Sequence, residues 1–288
     1  MLTTLAYSLA AGMFGVLAFS PIQIIAWRFL RLVGILVLAL VCGGAVAPLA
    51  ANGFPYLLRP EGLVSTGAIS GLSAIAVILL APVAVRREAT FRFACLVGAL
   101  GVFAAACIHA ISLLPAGTTA ATDRFATVSL VVLGEGLGAF FTGSITLSWL
   151  LGHAYLTATN MTLEPLRYFS RLLIGSVNLR LLFFLGSAGI ASATRTAQVS
   201  PLAGLTSDNP SEPATLTVLA HLADSWLIAF LRVGVGLVAV GVFAYMVRDC
   251  IRRRATQSAT GILYFASIFA YVGELAGRQL IVECGWAF

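Results

Sequence analysis

Seven ionisable residues stand within or beside long apolar runs of the sequence, and their types are those that transfer protons, bind polar ligands or ligate metals. They are His109, Glu135, His221, Asp224, Arg232, Glu274 and Arg278. An ionisable group at the centre of a bilayer costs about 2.5–3.5 kcal/mol on insertion scales, so it normally faces the interior of a helix bundle and has a partner there. These residues are therefore the candidates for function.

Quinone chemistry is one use for a histidine, carboxylates and arginines in one region of a membrane. A quinone oxygen needs a hydrogen-bond donor, and a carboxylate or imidazole must carry the proton to water. This interpretation predicts that the seven residues form a polar cluster at which quinone or quinol binds.

Two alternatives use the same residues differently. His109 and His221 are able to supply both axial ligands of a b-type haem between the fourth and seventh helices. Redox cytochromes b commonly carry four haem-binding histidines, whereas this chain has three histidines in total. The other alternative is purely structural, with His109 as a neutral core residue bonded to a backbone carbonyl.

The composition indicates whether these groups lie in a water-soluble protein or in a lipid bilayer. Of the 288 residues, 60% are hydrophobic and 10% are charged, whereas soluble globular proteins carry about 25% charged residues. The mean hydropathy is +1.00. An integral membrane protein is expected, with no role for nucleic acid in spite of the net charge of +6.

Apolar runs of about 20 residues predict an all-α fold of eight transmembrane helices, centred on residues 13, 40, 74, 103, 139, 183, 234 and 270. Residues 1–288 then form a single helical bundle. Arginines concentrate in the turns after the first, third, fifth and seventh helices. By the positive-inside rule those turns are cytoplasmic and both termini lie outside, as in a protein of the bacterial inner membrane.

This topology predicts how the charged residues pair. At about 1.5 Å per residue, the candidates fall in the outer half of the bilayer, with Arg232 below them near the midplane. Glu274 and Arg278 are four residues apart and can pair within their own helix. Arg232 has no such partner, and Glu135 is the expected one on another helix.

The turn between the fifth and sixth helices, "SWLLGHAYLTATNMTLEPLRYFSRLL", is the most polar inner turn. It shows no metal ligands and no nucleophile with a base. The amphipathic segment "LEPLRYFSRLL" suits the membrane interface. His153, Tyr155, Glu164 and Arg167 are therefore predicted to form either a plain solvated turn or a docking surface for a partner subunit. The five cysteines show no metal-binding spacing.

Eight helices with both ends outside and an outer polar cluster resemble the membrane-anchor subunits of molybdenum oxidoreductases, namely the polysulfide reductase and dimethyl sulfoxide reductase anchors. The resemblance lies in length and topology. It implies a quinol-binding subunit of a membrane oxidoreductase that passes electrons to an iron–sulfur or haem partner, with Glu135 and His109 acting on quinol. A permease with its substrate near Arg232 and an assembly subunit without chemistry are the rival interpretations.

Overall fold

The structure is a computed structural model, and it describes residues 2–52, 63–112, 121–157, 162–198 and 226–284. Every regular element within these ranges is helical. The eight long helices are α1 (Leu2–Phe19), α2 (Trp27–Asn52), α3 (Leu63–Leu80), α4 (Glu88–Ser112), α5 (Ala121–Thr157), α6 (Glu164–Gln198), α7 (Trp226–Arg252) and α8 (Thr256–Cys284). Each predicted centre lies inside one of them.

Seven of these helices are long and apolar enough to cross a bilayer, and the eighth, α3, contributes the shorter apolar stretch Ala68–Val83. The chain is therefore a polytopic helical membrane protein. Apolar side chains cover much of its outside, including Leu72, Leu79 and Leu182, each more than 60% exposed. Lipid tails are the solvent that suits such a surface.

The helices pack in two groups of four. In the first group, α1 contacts α2 and α4, and α3 contacts α2 and α4. In the second group, α5 contacts α6 and α8, and α7 contacts α6 and α8. The groups meet mainly along α1 and α5. The predicted single bundle thus consists of two four-helix rings that share one junction.

Glycines allow the helices at this junction to approach closely. A Cβ added to Gly12 of α1 would overlap the backbone of Ala139 on α5, and a Cβ added to Gly143 would overlap the backbone of Gly12. Gly236 of α7 and Gly273 of α8 cross in the same way. Small residues at helix contacts are expected in lipid, where close packing holds helices together.

The turns before α2, α4, α6 and α8 lie on one face of the molecule. Tyr168 of α6 and Arg92 of α4 donate hydrogen bonds to the backbone oxygens of Phe19 and Ser20 at the end of α1, at 3.1 and 3.3 Å. Thr260 of α8 donates to the Gly152 oxygen of α5 at 3.0 Å. We call this side the arginine face, because it carries Arg28, Arg31, Arg86, Arg87, Arg92, Arg167, Arg171, Arg248, Arg252, Arg253 and Arg254.

Sequence explains where the helices on this face stop. Pro21 follows α1 and opens a short 3-10 turn, Ile22–Ile24, while Pro82 lies in a similar turn, Ala81–Val83, after α3. Between α7 and α8, Arg254 adopts a left-handed conformation (φ 59°), and the Ala255 amide donates to the Cys250 oxygen at 2.9 Å. That is the Schellman pattern of helix termination.

A π-helical segment interrupts α7. It spans Leu231–Ala239 and passes at its end into the α-helix Val240–Arg252. Such segments are rare and often occur at functional sites. Arg232 lies in this segment and is fully buried.

Candidate functional site

The second helix group buries five charged side chains. Glu135 lies on α5, Arg180 on α6, Arg232 on α7, and Glu274 and Arg278 on α8, each at most 5% exposed. They form one connected set, which we call the ion cluster. Among the side chains that the structure describes, these are the charged ones that are buried.

Glu274 is the centre of the ion cluster. Its Oε1 accepts hydrogen bonds from Arg232 Nη1 at 2.7 Å and Arg180 Nε at 3.3 Å, and its Oε2 accepts one from Arg180 Nη2 at 3.2 Å. Arg278 Nη1 lies 3.8 Å from Oε2. One carboxylate on α8 therefore holds guanidinium groups from α6 and α7 as well as one from its own helix.

Glu135 forms the second part of the ion cluster. Its Oε2 accepts hydrogen bonds from Arg278 Nη2 at 2.9 Å and from the Ser8 hydroxyl at 2.5 Å. Arg278 Nη2 also lies 2.9 Å from Ser8 Oγ. Ser8 belongs to α1, so this triangle connects the ion cluster to the first helix group. Oε1 of Glu135 forms no hydrogen bond within the part of the chain described.

Backbone oxygens and glycines complete the surroundings of the arginines. Arg180 donates to the Gly134 oxygen at 2.6 Å, and Arg232 donates to the Gly273 oxygen at 3.2 Å. A Cβ on Gly138 would lie 3.0 Å from Glu274 Oε2, and one on Gly277 would lie 2.9 Å from Arg232 Nε. These glycines provide the space for buried charged groups beside the helix backbones.

The ion cluster lies far from the arginine face. Arg180, Glu274 and Arg232 are 16, 18 and 20 residues from the ends of their helices on that face, at Glu164, Thr256 and Arg252. At ~1.5 Å per residue this is about 24–30 Å of helix. Because the hydrocarbon core is about 30 Å thick, the ion cluster belongs to the half opposite the arginine face.

His109 lies at the same level as Glu135 on the adjoining helix. It is 21 residues from the α4 end on the arginine face, and Glu135 is 22 residues from the α5 end there. His109 is half-buried. The two residues that the sequence analysis assigned to quinol therefore lie at a similar level on neighbouring helices, and their roles stay a prediction.

Apolar residues close the contact between α4 and α5 on either side of this level. Ala110 and Val131 form a small buried cluster nearer the helix ends. On the side nearer the arginine face, the ring of Phe103 is in ordinary van der Waals reach of a Cβ added to Gly136. His109 and Glu135 are therefore polar groups between two apolar contacts.

Two expectations about the charged residues change, and a third is confirmed. Arg232 pairs with Glu274, so the expected pair with Glu135 is wrong: Glu135 is instead occupied by Arg278. Arg232 also lies at the level of Glu274 and not below it near the midplane. Glu274 and Arg278 do approach each other within α8, but their 3.8 Å contact is the longest in the ion cluster.

Sequence reasoning missed Arg180. The segment "NLRLLFFL" puts this arginine three residues before the predicted centre of the sixth apolar run, at residue 183, yet it is not among the candidates chosen from the sequence. The α6 helix begins at Glu164, which puts Arg180 more than four turns inside it. The sequence signal for a buried Arg180 is a single arginine followed by an uninterrupted apolar stretch.

A chain of uncharged polar and aromatic side chains continues between α5 and α8 towards the arginine face. The Tyr271 hydroxyl lies 2.7 Å from Thr146 Oγ1 and accepts a 3.3 Å hydrogen bond from Trp149 Nε1. The Trp149 and Tyr264 rings are 5.3 Å apart, and the Tyr264 hydroxyl lies 2.7 Å from His153 Nδ1. No sequence signal indicated Thr146, Trp149, Tyr264 or Tyr271, because polar aromatic residues in apolar runs also mark interfaces.

The four residues predicted for docking lie at the arginine face but differ in exposure. His153, Glu164 and Arg167 are exposed. Tyr155 is buried, and its hydroxyl donates to the Thr162 backbone oxygen. Tyr155 therefore closes the turn between α5 and α6, while the other three side chains remain accessible to a partner.

Part of the predicted site lies outside the described residues. His221 and Asp224 belong to the range 199–225, so neither the haem ligand pair of His109 and His221 nor the outer position of Asp224 is tested. Within the described ranges, there is no group of three or more His, Cys, Asp and Glu side chains suited to a metal ion.

Comparisons with known proteins add no functional information to this geometry. No protein-family model matches the chain, and no curated protein and no solved structure is significantly similar to it. The resemblance in length and topology to oxidoreductase anchor subunits therefore stays a prediction.

Proposed function

We propose that the protein is a quinol-binding membrane subunit of an electron-transfer complex, with the quinol head group bound at Glu135 and His109. The observation that carries this proposal is the state of the Glu135 carboxylate. One oxygen is held by Ser8 and Arg278, while Oε1 makes no hydrogen bond within the described part of the chain. A fixed carboxylate oxygen of this kind suits acceptance of a proton from a ligand hydroxyl.

His109 supports the same proposal. It is half-buried at the level of Glu135, on a helix that belongs to the other group. A quinol carries two hydroxyl groups, and its oxidation releases two protons and two electrons. Glu135 accepts the proton of one hydroxyl, and the neutral His109 imidazole accepts the proton of the other. The electrons pass to an iron–sulfur or haem cofactor of a partner subunit.

The location within the bilayer fits a lipid-soluble ligand. Leu133 of α5 is 54% exposed and Ile108 of α4 is 38% exposed, so apolar side chains that face lipid flank the two polar residues. A quinol carries an apolar tail and a polar head group. In this proposal, the tail stays among lipids while the head group reaches between α4 and α5.

The proposal includes a topology. All eight helices cross the inner membrane of a bacterium, the arginine face is cytoplasmic, and both termini are outside. Labelling with a membrane-impermeant thiol reagent tests the sidedness. A cysteine at Arg253, which is 77% exposed at the arginine face, and one at Leu205 should label from opposite sides. Labelling from the same side would contradict this topology.

Quinol oxidation is tested with the complex purified from its native membrane. Glu135→Gln keeps the shape of the side chain and an acceptor for Ser8 and Arg278 but removes the proton acceptor, so quinol-dependent reduction per assembled complex should fall roughly 10²-fold or more. Glu164→Gln, an exposed carboxylate on the arginine face, is the matched control. Full activity of a Glu135→Gln, His109→Ala double variant would rule out this site and favour an assembly subunit.

A further inference from the structure

The buried charges of the ion cluster do not balance. It contains the three guanidinium groups of Arg180, Arg232 and Arg278 and the two carboxylates of Glu135 and Glu274, so the described side chains carry an excess of one positive charge. Among the other acidic residues whose side chains the structure describes, Glu88 is half-buried and Glu164 and Asp249 are exposed, all at the arginine face. An uncompensated charge in a low-dielectric interior is strongly unfavourable.

Arg278 has donor groups directed into this interior. Its Nη2 is used by Glu135 and Ser8, whereas Nε and Nη1 form no hydrogen bond within the described ranges. The nearest carboxylate oxygen to Nη1 is that of Glu274, at 3.8 Å, which is beyond hydrogen-bonding distance. The side chain is only 5% exposed. Buried donors of this kind normally have an acceptor.

We propose that the ion cluster binds one small monovalent anion of the halide class at the Nε and Nη1 groups of Arg278, close to Arg180 and Arg232. One negative charge makes the set neutral, and a spherical anion accepts hydrogen bonds from several directions. A neutral ligand would leave the excess charge in place, and a dianion would reverse its sign. This proposal goes beyond quinol binding and does not depend on it.

A carboxylate elsewhere in the chain is the other possible source of the negative charge. The two sources differ in one measurable respect, because only a free anion can be exchanged with the buffer. An anion that binds the folded protein stabilises it in a saturable, concentration-dependent manner. A carboxylate of the chain gives no such dependence.

The experiment measures the unfolding temperature of the purified protein in detergent. Chloride replaces gluconate, an anion too large for this site, at constant ionic strength. We expect the unfolding temperature to rise with chloride and then level off, and equilibrium dialysis with radioactive chloride to show one bound ion per chain. An unchanged unfolding temperature together with no bound chloride would overturn the proposal.

Variants that change the charge balance in opposite directions sharpen the test. Glu135→Gln raises the excess to two positive charges and should increase the apparent affinity for chloride by tenfold or more. Arg278→Gln removes both the excess charge and the proposed donors, so the chloride dependence should be lost. Arg253→Gln, which changes an exposed arginine, should behave like the natural protein. The same chloride affinity in Glu135→Gln as in the natural protein would place the ion elsewhere and contradict the proposal, whether or not Arg278→Gln folds.

Discussion

The two four-helix groups differ in what lies between their helices. The described core of α1–α4 consists of apolar and small side chains, such as Phe14, Phe91 and Val102, with Gly98 against the Phe14 ring. The core of α5–α8 contains the ion cluster in addition to its apolar residues. The helices of the second group are on average less apolar than those of the first, but this difference does not show which charged side chains meet.

This difference teaches how the two groups respond to change. Lipid is as apolar as leucine, so apolar packing in α1–α4 is held by shape and close contact, and a small change of volume is absorbed locally. A buried ion in α5–α8 depends on one or two particular partners, and removing one of them leaves an uncompensated charge. The second group should therefore be more sensitive to single substitutions.

The largest effect is expected for Glu274→Gln, which removes the carboxylate shared by three arginines. We expect a loss of about 3–5 kcal/mol in stability, the range found when one partner of a buried ion pair is removed. The measurement is the unfolding temperature in detergent together with the yield of folded protein. Glu88→Gln, which breaks the exposed Glu88–Arg92 pair, should change stability by less than about 1 kcal/mol. Equal effects of the two substitutions would remove the contrast between the groups.

Arg232→Leu should produce the next largest effect. The side chain is fully buried and pairs with Glu274 at 2.7 Å, so we expect a loss of about 3 kcal/mol. Arg253→Leu is the control, because its pair with Asp249 is exposed and stabilises the protein by less than about 1 kcal/mol. The measurement compares the unfolding curves of the two variants. Coincident curves would contradict a structural role for Arg232.

A smaller effect is expected at the junction of the two groups. Gly12→Ala places a methyl group against the α5 backbone at Ala139, and neither backbone can move without separating α1 from α5. We expect a loss of about 1–3 kcal/mol, as for other overpacked sites. Gly15→Ala on the same helix meets no atom within 4 Å and should be neutral. If both variants unfold at the same temperature, the close crossing of α1 and α5 is wrong.

The smallest effect is expected for Thr146→Val, which removes the hydroxyl contact with Tyr271. Hydrogen bonds between helices in membranes average about 0.6 kcal/mol, and we expect a loss of that size. Thr142→Val is the control, because that hydroxyl bonds only to backbone oxygens of its own helix. A double-mutant cycle with Tyr271→Phe measures the coupling directly. A coupling free energy of zero would show that the contact does not stabilise the helix pair.

The sequence predicted the helices well, because each one is a long apolar run bounded by arginines, glycines or prolines. It also predicted that His109, Glu135, Glu274 and Arg278 lie in one half of the bilayer, since depth follows from position along a helix, but it put Arg232 near the midplane. The prediction failed where the choice of partner depends on which helices are neighbours.

Arg232 illustrates the reason. Hydropathy does not distinguish α5 from α8 as the neighbour of α7. The expected pair of Arg232 with Glu135 would require α5 to be that neighbour. The structure puts α8 beside α7, so Glu274 takes Arg232 while Arg278 takes Glu135. The prediction missed Arg180 for a different reason. An error of one or two turns in the predicted extent of a helix moves a residue from the interface into the interior.

The triangle of Ser8, Glu135 and Arg278 joins residues that are synthesised at widely separated times. Ser8 precedes Glu135 by 127 residues, and Glu135 precedes Arg278 by 143 residues. At about 5–20 residues per second, Glu135 therefore enters the membrane about 7–29 s before its arginine exists. Both Glu274 and Arg278 arrive with α8, the last helix described, so one insertion event provides the missing partners of Glu135, Arg180 and Arg232 together. A chain whose synthesis stops before α8 keeps these three charged side chains exposed to lipid. Proteases that monitor membrane insertion can use this exposure to distinguish such a chain from the finished protein.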